Sequence, residues 1–158
     1  MKIIFDLNNS RVSLTAPPEK RLVDMLRDDL GMLATKSGCY KGKCGACYVL
    51  LNNEIVSSCL IPAFAAKSTS IKTIEFFIEN GEYDEIVNGF RIFGHIPCSF
   101  CIQSKILIIH SLLEKYPEPE NQNIVEAFSS FLCRCGDLTT LVDSIKFISF
   151  QRKKRKRK

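Results

Sequence analysis

Lys36-Ser37-Gly38-Cys39-Tyr40-Lys41-Gly42-Lys43-Cys44-Gly45-Ala46-Cys47 is the stretch that decides how this chain is read. It packs three cysteines and three glycines into twelve residues, and a fourth cysteine, Cys59, follows after eleven more. Thiolates are soft ligands, and a metal group held by four of them is a net anion. Burying that anion requires dipoles or cations aimed at it. A tight loop supplies them by turning successive backbone N–H groups toward the sulfurs. Such wrapping needs close backbone approach and positive φ, which Gly38, Gly42 and Gly45 permit, with the small Ala46 beside them. Lys41 and Lys43 add positive charge nearby.

The spacing Cys-x4-Cys-x2-Cys with one distant partner is that of plant-type ferredoxins. Cys39, Cys44, Cys47 and Cys59 are therefore predicted to hold a [2Fe–2S] cluster. Zinc or a pair of disulfides are the alternatives. Structural zinc usually joins two short cysteine knuckles, whereas here one three-cysteine loop precedes a single far ligand. Disulfides would require an oxidising compartment.

The flanks of this loop read as strands around a helix. Ile3, Phe5 and Leu7 alternate with polar residues, as do Val12 and Leu14, and Asn8-Asn9-Ser10 supplies a turn between the runs. Pro17-Pro18 blocks further strand, and Leu22, Met25, Leu26, Leu30 and Leu33 then recur at helical spacing, with Gly31 as a stop. Tyr48–Leu51, Asn52-Asn53 and Glu54–Val56 form a second hairpin, and residues 70–73 a last short strand. Periodicity alone supports a small α+β domain, and the order hairpin, helix, hairpin, strand is that of a β-grasp.

From about Ile74 the pattern turns helical. One stripe holds Tyr83, Ile86, Val87, Phe90 and Phe93, and a second Ile102, Ile106, Ile109, Leu113 and Tyr116. A third comprises Ile124, Val125, Phe128, Phe131 and Leu132, and a fourth Leu138, Leu141, Val142, Ile145 and Ile148. Four amphipathic helices on short connections bury their stripes against each other, which predicts a four-helix bundle. The expected fold class is thus α+β. A β-grasp, plant-type ferredoxin domain spans 1–73, a helical domain with the remaining four cysteines 74–150, and a solvated, disordered basic tail 151–158.

The remaining cysteines lie in the helical half, as Cys98-x2-Cys101 and, after 31 residues, Cys133-x-Cys135. Spacing alone leaves zinc open for this quartet. Each pair precedes a predicted helix start, near Ile102 and near Leu138, and two helix N-termini aimed at one site suit an anionic cluster. Arg134 either adds charge there or is a solvated surface residue. His95, three residues before Cys98, is assigned a hydrogen-bonding or helix-terminal role, and His110 a packing or surface one.

Charge and hydropathy narrow the functional classes. Hydrophobic residues make up 46% and charged residues 25%, a globular balance. No apolar run approaches the ~20 residues that span a bilayer. The opening Met1-Lys2-Ile3-Ile4-Phe5-Asp6 has no small-residue cleavage site, so a cytoplasmic location is expected, where cysteines serve metals more often than disulfides. Seven of the 22 basic residues occupy 152–158, and the formal +5 becomes −2 once they are set aside. No specific nucleic-acid reading follows from such a body.

The motif at 36–47 is very similar to the first motif of the iron–sulfur subunit of the molybdenum hydroxylase family, which includes xanthine dehydrogenase, aldehyde oxidoreductases and carbon monoxide dehydrogenase. Residues 58–63 (Ser-Cys-Leu-Ile-Pro-Ala), 71–75 (Ile-Lys-Thr-Ile-Glu), Cys98-x2-Cys101 and Phe131-Leu132-Cys133-Arg134-Cys135 match its further landmarks. The resemblance covers roughly residues 2–148 and makes Cys98, Cys101, Cys133 and Cys135 the ligands of a second [2Fe–2S] cluster. It implies a molybdenum-cofactor large subunit, an FAD-binding medium subunit, and a chain with no catalytic residues that conducts electrons during hydroxylation of a purine or aldehyde-type substrate. The departures fall in the second motif. Pro97 replaces a glutamine that meets the pterin, Ser99 a glycine, and Ile102-Gln103-Ser104 a small-Pro-Gly helix start. A free-standing two-cluster ferredoxin is the first rival reading, and a zinc-stabilised interaction module the second.

Overall fold

Alternating apolar residues build two hairpins in the computed structural model, which describes residues 1–156. β1 (Lys2–Leu7) pairs antiparallel with β2 (Ser10–Thr15), Phe5 opposite Val12. Asn8 and Asn9 turn the chain at φ 50° and 66°, a left-handed conformation that asparagine tolerates well. β3 (Tyr48–Leu51) and β4 (Glu54–Ser57) repeat the device around Asn52 and Asn53. β5 (Ser70–Lys72) enters between the hairpins, parallel to β1 and antiparallel to β3, which gives the order β2-β1-β5-β3-β4. The turn asparagines also fasten β5 in place. Asn8 accepts the Thr73 N–H and donates to its hydroxyl, both at 2.9 Å, and the Asn52 side chain accepts the Ser70 N–H at 2.9 Å.

Ile3, Phe5, Leu7, Val49 and Ile71 pack on Leu22, Met25 and Leu26. These last three lie on α1 (Leu22–Asp24) and the π-helical turn Met25–Asp29 that continues it. Sequence spacing predicts one α-helical stripe reaching Leu33. Gly31, at φ 69°, stops the helix before that point, so Leu33 lies outside it and is 58% exposed.

Among the described residues five helices follow β5: α2 (Ile74–Glu79), α3 (Glu82–Ile92), α4 (Ile102–Lys115), α5 (Asn121–Phe128) and α6 (Leu138–Lys156). The short α2 carries none of the four stripes read from sequence. The third stripe is also shorter than expected, because α5 ends at Phe128. Beyond it Phe131 turns inward, while Leu132 is 69% exposed. Phe77, Ile86, Phe90, Ile106, Ile124, Ile145 and Ile148 form one buried cluster that also takes in Leu50 of β3. The sheet and the helices therefore share a core. None of the described helices is long and apolar enough to cross a membrane.

The basic segment departs from expectation. Residues 151–156, expected to begin a disordered tail, continue α6. Arg152 pairs with Glu82 at 2.6 Å and Glu85 at 2.9 Å, Arg155 with Glu85, and Lys153 with Glu118 at 2.6 Å. Carboxylates far away in sequence thus neutralise the charges that suggested solvation. His110 joins the same group, its Nδ1 2.8 Å from Glu82. Burial alone would raise the Glu82 carboxyl, but hydrogen bonds from His110 and Arg152 hold it below its ordinary value. The rest of the tail, Arg157 and Lys158, lies outside the described residues.

Candidate metal centres

The loop between α1 and β3 wraps its own cysteines. Cys39 Sγ accepts N–H groups from Lys41 (3.4 Å), Lys43 (3.3 Å) and Cys44 (3.4 Å). These donors pull the Cys39 thiol down to about 6, the Lys41 N–H contributing most. Cys47 and Cys59 are buried together against Val23, and burial pushes the Cys47 thiol up to about 11. The lysine side chains at 41 and 43 are exposed, so the loop's positive potential at the sulfur comes from its amides.

The glycines act in two different ways. Gly45 needs its φ of 73°, and a Cβ there would strike Phe131 at 2.5 Å. Gly38 lies outside the positive-φ region and serves by size, since a Cβ would lie 3.0 Å from Cys44 Sγ. Gly42, at φ 68°, is left-handed too, and so is the non-glycine Tyr40, at φ 53°. Its hydroxyl donates to Asp24 at 3.0 Å, and the Arg21 guanidinium lies 4.9 Å from its ring centre.

The second group of thiols gathers at the start of α4. The sulfurs of Cys98, Cys101 and Cys135 all lie within 4.8 Å of one another, with Cys98 and Cys101 3.4 Å apart. Cys133 lies beside them, its Sγ accepting the Cys135 N–H at 3.3 Å. Burial raises the Cys101 thiol, whereas its contact with Cys101 draws Cys98 down to about 7.

Of the two helix N-termini expected to serve this group, that of α6 is already occupied. Asp137 accepts the Thr140 N–H at 2.9 Å, and this bond holds the Asp137 carboxyl below its usual range. Arg134 is exposed. The buried cation here is Lys105, one turn beyond Cys101 and 2% exposed. Its Nζ lies 3.0 Å from the Cys135 carbonyl and 2.7 Å from His95 Nε2. His95 Nδ1 is in turn 3.0 Å from the Thr140 hydroxyl. Burial, then the Lys105 charge, lowers the His95 imidazole to about 4, so it stays neutral near pH 7. The sequence alone offers His95 a hydrogen-bonding or helix-terminal role but gives Lys105 no part. The available signal is a lone lysine set directly before the run Ile106-Leu107-Ile108-Ile109.

The segments that carry the two groups touch. Ser104, fully buried on α4, donates its hydroxyl to the Gly45 carbonyl at 2.7 Å. Phe131 packs against Tyr48, their ring centres 6.1 Å apart. A Cβ at Gly38 would also meet Phe100, from the other cysteine segment, at 3.3 Å.

Four thiols in each half, amides on a sulfur in the first and a buried ammonium in the second fit anionic iron–sulfur groups. Residues 5–71 match the family described as 2Fe-2S iron-sulfur cluster binding domain, and residues 73–146 the one described as [2Fe-2S] binding domain. The nicotinate dehydrogenase small FeS subunit of Eubacterium barkeri is 38% identical over 133 residues, 84% of this chain and 85% of that protein. This chain belongs to the iron–sulfur small-subunit family of the molybdenum hydroxylases. Among solved structures of that family, quinoline 2-oxidoreductase from Pseudomonas putida 86 superposes with a TM-score of 0.88 at 29% identity, over 98% of this chain and 96% of its own. The aldehyde oxidoreductase from Desulfovibrio desulfuricans ATCC 27774 gives 0.87 at 28% identity, over 96% of this chain but 17% of the longer one. Like the small subunits it resembles, this chain is an iron–sulfur, electron-transferring component of an oxidoreductase, with two [2Fe–2S]-binding domains.

Proposed function

We propose that Cys39, Cys44, Cys47 and Cys59 hold one [2Fe–2S] cluster, that Cys98, Cys101, Cys133 and Cys135 hold the other, and that Gly38, Gly42 and Gly45 shape the first site. The domains divide at Thr73/Ile74, with a β-grasp ferredoxin on one side and a bundle of α3 to α6 on the other. When bound, the two clusters supply one-electron carriers between a molybdenum-cofactor large subunit and an FAD-binding medium subunit or another acceptor. The helical half faces the molybdenum subunit, and the loop at 38–47 faces the flavin side. The oxidised substrate, a purine, a related nitrogen heterocycle or an aldehyde, is chosen in the partner. The complex works in the cytoplasm.

The observation that carries this reading is the hydrogen bond from Ser104, on the helix that begins at the second cysteine group, to Gly45, between two cysteines of the first. An apolar rim around the second group, Ile96 (80% exposed), Phe100, Leu132 and Leu138, favours a subunit covered by a partner over a free-standing ferredoxin. The test is paramagnetic resonance on anaerobically purified, reduced protein. Wild type should give two distinct signals and about four irons, the content of two such clusters. Cys44→Ser should remove one signal and Cys101→Ser the other. Loss of both signals from either substitution refutes the assignment, as does colourless protein containing zinc.

A further inference from the structure

We propose that Lys105 is the internal countercharge of the second cluster, fixed beside its ligands to raise that cluster's reduction potential; this rests on the ligand assignment above.

A lysine that is 2% exposed is costly unless something neutralises its ammonium. Among the described residues no carboxylate forms an ion pair with Lys105. Its two hydrogen-bond partners, His95 Nε2 and the Cys135 carbonyl, are both uncharged acceptors. The charge is thus buried against the backbone of one cysteine and one helical turn beyond another, with only dipoles as direct partners. The carboxylate that lines the same cavity, Asp137, is turned onto the Thr140 N–H and hydroxyl and forms no ion pair with the ammonium. The anion missing from its direct partners is the one that four thiolates and their metals would bring.

The neighbours hold the ammonium there. Ile106, Leu107, Ile108 and Ile109 are all buried, so α4 is covered on every side just beyond Lys105. His95 is fixed by Thr140, and Gly136 leaves the room its ring needs, since a Cβ at 136 would lie 2.6 Å from His95 Cε1. Thr140 is itself held by Asp137, to which its hydroxyl donates at 3.0 Å. This chain of contacts runs from the α6 cap to the Lys105 ammonium and leaves the side chain little freedom. Reduction places one more negative charge on the cluster, and a fixed cation favours that state in a low-dielectric site.

The expected size follows from removing one charge. The reduction equilibrium of the second cluster should fall on the order of tenfold, which is 59 mV for a one-electron couple, while that of the first stays in place. The experiment is a redox titration of the full chain followed by paramagnetic resonance, with both clusters read in each sample. Wild type is measured first. If it lacks two [2Fe–2S] signals, the ligand assignment has failed, an outcome distinct from failure of this proposal.

Lys105→Met and Lys105→Gln remove the charge, the second keeping a donor for the Cys135 carbonyl. Lys105→Arg retains the charge. A lower second midpoint in both uncharged variants, with Lys105→Arg close to wild type, bears the proposal out. So does loss of the second cluster from both uncharged variants while Lys105→Arg retains it. An unchanged midpoint in either uncharged variant overturns the proposal. Loss of the second cluster from Lys105→Arg as well overturns it too, because size and packing would then be what the position requires.

Discussion

The loop at 38–47 and the pocket at the start of α4 face one electrostatic problem and meet it with different parts of the chain. In the loop, three backbone N–H groups converge on Cys39, and the lysine side chains point to solvent. In the pocket, the helix α6 spends its N-terminal donors on Asp137, and a single buried side chain brings the positive charge. Backbone dipoles tolerate side-chain exchange so long as the loop keeps its shape. A buried ammonium concentrates the same job in one residue. The first region is therefore expected to fail through geometry and the second through charge.

The severest way to break the loop is Gly45→Ala. The new methyl would occupy a left-handed backbone position and collide with Phe131. The two penalties together amount to about 2–4 kcal/mol, and the first cluster should be lost or loaded only in part, as read by iron content and the first paramagnetic signal. Gly45→Ala combined with Phe131→Ala should recover part of the loading, which tests whether the collision or the backbone dominates.

A milder disturbance is Ser104→Ala, which leaves the Gly45 carbonyl with the Tyr48 N–H, at 3.2 Å, as its remaining donor. Chemical denaturation should show a loss of about 0.5–1.5 kcal/mol. Both clusters should still load. A Ser104→Ala protein as stable as wild type would mean that the junction between the regions does not depend on this bond.

The smallest effect is expected from Lys41→Gln together with Lys43→Gln. These side chains are exposed, where water and salt screen a charge strongly. The first cluster's midpoint should move less than the second's does on loss of Lys105, and the shift should shrink further as ionic strength rises. A salt-independent shift of equal size would erase the contrast between the two regions.

The same contrast separates what the amino-acid sequence makes legible from what only packing decides. The hairpins are legible because Asn8-Asn9 and Asn52-Asn53 encode their turns locally, and the loop because its glycines and cysteines lie within twelve residues. The π-turn after Asp24 is not, since helical spacing alone does not register a widened turn, although Gly31 marks the stop before Leu33. The basic segment misleads for a related reason. Its partners Glu82 and Glu85 lie about seventy positions away, and only the packing of α6 beside α3 joins them. Lys105 stays hidden because a lysine's burial is decided by what the helix packs against. His95 is legible as a hydrogen-bonding residue, whereas its partners on α4 and α6 are not.

The bond from Ser104 to Gly45 also bears on rates. Two separate carriers must find each other by diffusion and adopt a productive orientation at every turnover. Here a fully buried serine fastens one cysteine loop to the helix that begins at the other group. One continuous chain already makes the hop first-order, and this bond holds the two segments at a fixed distance and orientation. Dilution of the enzyme then leaves traffic between the two centres unchanged.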